Sequence, residues 1–246
     1  YAMIPQLGAP LGLIVASALF AYFIAKLTPQ DFFAWGWRYP FFVAFAINVV
    51  ALFARLRIVV SPTFQTAFHS LELKPTPIGK TLKEEGSSIL VGTFAPLATF
   101  AMVHMVTVYP LSWVFLYTQD SVARFLVIQL IAAAIGVASV VASGVLADRF
   151  GRRKLLGATS AGIGIFAVAA LPLLNGGAMG ETAYLVIGFI LLGLAFGQAS
   201  GVIASNFAQR NRYTASAITS DLAWLFGAGF APLAALWLSA EFGLWA

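Results

Sequence analysis

Charge in this sequence comes in clumps, and between the clumps lie runs with no charged side chain at all. Residues 5–25, 39–54, 89–119, 125–147, 155–174 and 183–207 are uncharged throughout, and 213–239 is interrupted only by Asp221. A helix needs about 20 mostly apolar residues to cross a ~30 Å hydrocarbon layer, so these are seven candidate membrane spans. Composition closes off the alternative. Of 246 residues, 61% are hydrophobic and 9% charged, against about 25% charged in an ordinary soluble domain. So few charges cannot cover a globule of this size, which excludes a soluble enzyme and leaves a polytopic, all-α membrane protein. The chain has no cysteine and only two histidines, His69 and His104, which removes disulfide frameworks and thiolate metal sites. The N-terminal YAMIPQLGAP has neither a basic start nor a small-residue cleavage site, unlike a signal peptide.

Two spans depart from ideal length. Residues 39–54 are short, and the arginines at 38 and 55 must snorkel to complete the crossing. Residues 89–118 are too long, extending roughly 45 Å at 1.5 Å per residue. Pro110 inside that run lacks a backbone donor and predicts a kink or break.

Basic residues orient the spans. The connections after spans two, four and six hold Arg55, Arg57, Lys74, Lys80, Lys83, Arg149, Arg152, Arg153, Lys154, Arg210 and Arg212. These are eleven of the fourteen Lys and Arg, and the other side has only Lys26, Arg38 and Arg124. The positive-inside rule puts the eleven in the cytoplasm, with Tyr1 inside and Glu241–Ala246 outside. The net charge of +5 is therefore a topology signal and does not point to nucleic acid. The longest connection, residues 57–87, is also the most polar, and reads as a cytoplasmic linker with a short amphipathic helix.

The connection between spans four and five reads Gly144-Val145-Leu146-Ala147-Asp148-Arg149-Phe150-Gly151-Arg152-Arg153-Lys154. An aspartate at a helix end can face the positive N-terminus of a neighbouring helix. Gly151 permits a tight turn, and the basic cluster holds the loop at the anionic leaflet. Simple anchoring by positive charge is the competing reading of the pattern. Its spacing, G-x-L-a-D-R-x-G-R-R, resembles the loop signature of the major facilitator superfamily, found between helices 2 and 3 and again between helices 8 and 9. Trp35-Gly36-Trp37-Arg38-Tyr39-Pro40, Arg55-Leu56-Arg57 and Ser61-Pro62-Thr63-Phe64 resemble helix 6 and its exit in the metabolite:proton symporter branch. Val60 stands where relatives often carry an acidic residue. Arg212-Tyr213-Thr214 and Gly227-Ala228-Gly229-Phe230-Ala231-Pro232 resemble helix 11 of that branch.

The resemblance implies a major facilitator fold in which the seven spans are helices 5 to 11 of twelve. Residues 1–56 would then be the last two helices of the N-terminal bundle and 57–87 the central linker. Residues 88–246 would be the C-terminal bundle without its last helix. It further implies a monomeric, proton-coupled importer of a small polar metabolite, an organic acid or a zwitterion, in the inner membrane. Alternating access would drive it, with the proton gradient and no cofactor supplying the energy. Gly144, Asp148, Arg149, Gly151, Arg152 and Arg153 would form a conformational latch, partnered by the start of helix 5 around Tyr1–Pro5.

Asp221 lies about 12 Å into the seventh span, where a carboxylate costs a few kcal/mol unless wet or protonated. It is the first proton-coupling candidate, against hydration or pairing near the interface. His104, about 22 Å along the third span, is the second, against a neutral imidazole bonded to a neighbouring helix. The two differ in depth by roughly 10 Å, which argues against a direct ion pair. Gln129, Gln198, Tyr109 and Trp113 are substrate-cavity candidates, with interhelical hydrogen bonding the competing use of each amide. Gly193, Gly197 and Gly201, and likewise Gly8 and Gly12, recur every four residues and allow close helix approach. Two other readings stay open: an antiporter of the same fold, and a truncated, non-transporting membrane protein that binds a partner.

Overall fold

The computed structural model describes residues 3–59, 62–69, 75–118, 121–205, 207, 208, 210–230 and a few positions between 233 and 241. Among these every regular element is a helix. α1 (Gly8–Lys26) follows a short 3-10 turn at Ile4–Leu7. α2 (Pro29–Ala34) is a one-turn cap, started by the Thr28 hydroxyl accepting from the Asp31 N–H at 3.2 Å, and it leads to α3 (Tyr39–Val59). α4 (Pro62–His69) lies in the polar connection. α5 (Ile78–Phe94), α6 (Leu97–Thr107) and α7 (Tyr109–Tyr117) form one interrupted crossing. α8 (Val122–Phe150), α9 (Arg152–Leu174), α10 (Gly177–Ser205) and α11 (Arg212–Trp224) complete the bundle.

Six stretches among the described residues are long and apolar enough to cross a membrane: Ile4–Lys26, Gly36–Ile58, Ile78–Phe115, Val122–Phe150, Arg152–Leu174 and Gly177–Ala199. They coincide with the first six uncharged runs. The short second run is extended at its far end, where α3 carries Arg55 and Arg57 on its last turns. The seventh differs. Within the described residues its first half is α11, which carries Thr214, Ser216, Thr219 and Asp221, and Leu225–Gly229 opens into a π-turn. Most of the chain after Phe230 lies outside the described residues.

The third run is broken twice. The break at Val108 comes two residues ahead of Pro110, whose missing N–H cannot bond the Val106 carbonyl. A second break, at Ala95–Pro96, has the same cause and was not anticipated. The helix also starts at Ile78, well before the apolar run at Ile89.

The core lies between α6, α8, α9 and α10. Val106, Phe125, Ala132, Phe166, Tyr184, Leu185 and Phe189 are buried there together. With no hydrophobic drive between helices in lipid, close packing has to hold them. The α8–α10 seam shows how. A Cβ on Gly193 would sit 2.6 Å from the Gly136 carbonyl oxygen, and one on Gly197 would strike the Ser143 hydroxyl. Gly188 plays the same part against Val106 of α6. Gly8 and Gly12 do not, since a Cβ on either meets nothing within 4 Å. α3 is exposed along nearly its whole length, and Ser17 is the one buried residue of α1.

Candidate functional site

α1, α6, α8, α10 and α11 surround a cavity of about 320 Å³. Pro10, Gly12 and Leu13 contribute from α1, Val103 and Thr107 from α6, Gly136 and Val140 from α8, Phe189 and Phe196 from α10, and Trp224 from α11. The lining is almost entirely apolar. Its hydroxyl, Thr107 Oγ1, donates to the Val103 carbonyl at 2.6 Å.

The four residues expected to line a cavity are placed elsewhere. Gln129 is buried on α8. Its Nε2 donates to the Thr107 carbonyl at 2.7 Å and its Oε1 accepts from Ser17 Oγ at 3.4 Å. The amide thus takes up a backbone acceptor at the α6 end, where the helix breaks, and ties α1 to the same point. Gln198, buried on α10, donates to Ser143 Oγ at 3.0 Å, and Ser143 in turn donates to the Val140 carbonyl at 2.7 Å. Both amides are spent on interhelical bonding. Tyr109 and Trp113 lie one turn apart on α7, ring centroids 6.5 Å apart, packed into the core.

Asp221 and His104 are also apart from the cavity wall. His104 is half-buried on α6, between the wall residues Val103 and Thr107 in sequence. Asp221 is exposed on α11, one turn before Trp224 and directly ahead of the π-turn, which the Phe230 N–H closes on the Leu225 carbonyl at 2.9 Å. Such widened turns gather at functional sites.

The loop between α8 and α9 is a single residue, Gly151, at φ 87°, ψ 139°. A Cβ there would have open space around it, so the backbone angle alone requires glycine. Asp148, Arg149, Arg152 and Arg153 are exposed around it; the Arg149 guanidinium lies 5.4 Å over the Phe150 ring, and Arg152 donates to the Gly201 carbonyl at 3.5 Å. Met3 packs its sulfur into the notch left by Gly144, so the start of the chain's first span does meet the start of the motif. At the same end of the bundle Glu84 accepts from Arg210 at 2.6 Å and from Asn211 at 2.8 Å, joining α5 to the turn before α11.

Glu181 escaped the sequence reading. It is the fifth residue of α10 and 4% exposed. Beside it Ala178, Met179 and Thr182 share a recess with Arg124 from the head of α8. The available signal was an acid in the opening turns of one span facing the same side as a lone arginine on another.

A multi-span helical bundle enclosing a cavity defines the class: a polytopic, all-helical membrane protein. The sequence profile of the Major Facilitator Superfamily matches residues 2–244, and the chain belongs to that superfamily. The inner membrane metabolite transport protein YhjE of Escherichia coli K12 is 32% identical over 99% of this chain and 57% of the relative. A putative metabolite transport protein of Haemophilus influenzae is 28% identical over the same shares. The proline/betaine transporter of Escherichia coli K12 is 28% identical over 94% of this chain and 48% of its own length. The chain thus spans about half the length of the curated relatives it matches. No solved structure matches it.

Proposed function

We propose that this chain forms part of a proton-coupled symporter of the inner membrane, importing a small polar metabolite, an organic acid or a zwitterion, by alternating access. The observation that carries the reading is the cavity between α1, α6, α8, α10 and α11 in a member of this superfamily. The relatives named as metabolite and proline/betaine transporters support the substrate class. Residues 1–56 and 88–246 are proposed as parts of two bundles that rock around the cavity, joined by the cytoplasmic linker 57–87. The proton gradient drives the cycle without a cofactor, and the working unit is a monomer.

Asp221 takes the coupling proton, with His104 as the second candidate. Asp221 is exposed on α11, one turn from the cavity-lining Trp224. Asp148, Arg149, Arg152 and Arg153, pivoting on Gly144 and Gly151, form the cytoplasmic latch, and Met3 is its counterpart on α1's approach.

The test is uptake into proteoliposomes by the full-length protein under an imposed pH gradient. Accumulation should follow the gradient, and Asp221→Asn should abolish accumulation while sparing exchange of substrate for substrate. Expulsion driven by the gradient would establish antiport instead. Unchanged accumulation by the Asn variant at every pH would remove Asp221 from coupling.

A further inference from the structure

Basic residues on the outer side run against the positive-inside bias, and Lys26, Arg38 and Arg124 are placed there. Two of them serve their own helix ends. Lys26 closes the last turn of α1, where the helix dipole favours a cation. Arg38 donates to the Ala34 carbonyl and lies 4.8 Å over the Trp37 ring. Arg124 is placed differently. It is exposed in the first turn of α8, where the dipole disfavours a cation.

Arg124 heads a recess of about 700 Å³ whose floor is the outer part of α10, with Met179, Thr182, Ala183, Val186 and Ile187. The rest of the lining is nearly apolar. The Thr182 hydroxyl donates to the Ala178 carbonyl at 2.7 Å, and Glu181, the acid of this stretch, is buried and does not line the recess. On α8 the exposed Val127 and Ile131 carry the apolar surface on from Arg124 along one helix face. From Met179 to Ile187 the recess descends about 12 Å at 1.5 Å per residue. Half of a ~30 Å hydrocarbon layer is about 15 Å. The groove is therefore about as deep as one leaflet, apolar along its length and basic at its water end.

We propose that this recess is a site for an anionic phospholipid of the outer leaflet, its phosphate held by Arg124 and an acyl chain lying on Ala183, Val186 and Ile187. The guanidinium fork meets two phosphate oxygens at once. The phosphate's charge also suits the positive head of α8, where the arginine is poorly placed by itself. Met179, exposed at the outer end, is flexible enough to fit around different chains. Neither the central cavity nor Asp221 takes part, so the site stands apart from the transport reading.

The test is native mass spectrometry of the full-length protein released from nanodiscs of dioleoylphosphatidylglycerol and dioleoylphosphatidylcholine in equal parts. The wild type should keep phosphatidylglycerol in preference to phosphatidylcholine. Arg124→Gln should carry one phosphatidylglycerol fewer under the same conditions, and Arg124→Lys should hold that lipid more weakly than the wild type. Ala183→Phe fills the floor and leaves the arginine in place, and it should lose the same lipid. Lys26→Gln, at the other outer base, should keep it. A melting curve for each variant identifies any that has failed to fold, and the wild-type preference needs no variant. Equal retention of the two lipids, or an unchanged count in Arg124→Gln, would overturn the proposal. So would displacement by glycerol 1-phosphate, which has the phosphate without the chains, or retention by Ala183→Phe. No retained lipid, as when another segment of the full-length chain covers the groove, would also overturn it.

Discussion

The α8–α10 seam makes a prediction whose sign can be worked out from two glycines. A methyl group on Gly193 would stand 2.6 Å from the Gly136 carbonyl oxygen, 2.7 Å from Ser139 Cβ and 3.1 Å from the Val140 nitrogen. All three belong to a helical backbone or its first carbon, so none can swing aside. Relief requires α8 and α10 to part by roughly 1 Å, and a gap of that size forfeits a quarter to a half of each dispersion contact along the seam. Overpacking of this kind costs about 1–3 kcal/mol, and the better helix propensity of alanine returns about 0.5–1 kcal/mol. Gly193→Ala should therefore lose between about 0 and 2.5 kcal/mol. Gly164 on α9 is the control. It is exposed in mid-helix, a Cβ there meets nothing within 4 Å, and Gly164→Ala should gain up to about 0.5–1 kcal/mol. Unfolding in detergent or bicelles, read as a free energy against the wild type, measures both. If Gly193→Ala proves as stable as Gly164→Ala, the helices are not held at the distance argued here.

Three further substitutions test other parts of the bundle. Gly151→Ala should cost about 1–3 kcal/mol from the backbone angle alone, whereas Gly157→Ala, in open space on α9, should cost nothing; equal effects in the same unfolding assay would contradict the strain argument. Gln129→Leu strands the Thr107 carbonyl and the Ser17 hydroxyl and should cost about 1–2 kcal/mol, more than Ser17→Ala, whose 3.4 Å bond is weak; the reverse order would show that the bond to Thr107 carries little. The Thr219 hydroxyl is buried without a hydrogen-bond partner among the described residues, so the isosteric Thr219→Val should be neutral or stabilising, and a loss above about 1 kcal/mol would reveal a bound water or ion.

Span positions were legible because charge along the chain is a one-dimensional signal that the bilayer reads directly. Ile4–Lys26 and Arg152–Leu174 fall within a few residues of their uncharged runs. Gly151 was legible for the same kind of reason: a glycine between two helix-length runs with a basic cluster after it has to turn the chain, and it does so at φ 87°. Direction around a helix was much harder. Sequence depth put Asp221 well into α11, but only the assembled helices show that position 221 is exposed while Thr219 and Ala223 beside it are buried. The partners of the amides were hidden on a related ground. Burial of Gln129 follows from its position among apolar neighbours, but its partner is a carbonyl left over at a break caused by a proline nineteen residues earlier on another element. The cavity residues Phe196 and Trp224 carry no polar signature, and in a chain 61% hydrophobic they are indistinguishable from core until the helices are assembled.

The α1–α8 contact links these pieces to the proposed cycle. Met3 meets Gly144 and Ser17 meets Gln129, so the chain from Met3 into α1 runs antiparallel along α8, fourteen residues against fifteen, over about 21 Å. The cavity opens between those two contacts, at Pro10, Gly12 and Leu13 opposite Gly136 and Val140. With α1 and α8 in separate bundles, as proposed, alternating access has to part this seam at one end and then at the other. Both ends are built to let go cheaply. At one, a flexible methionine sits in a glycine notch and gives up only dispersion. At the other, the bond that crosses the seam is the long one of 3.4 Å, while Gln129 keeps its 2.7 Å bond to Thr107 within the second bundle. Separation there leaves the amide anchored and exposes only a serine hydroxyl, which water entering the opened cleft can satisfy. The strong polar contacts therefore lie within the proposed C-terminal bundle and the weak ones between the bundles, an arrangement that lets each bundle move as a rigid unit.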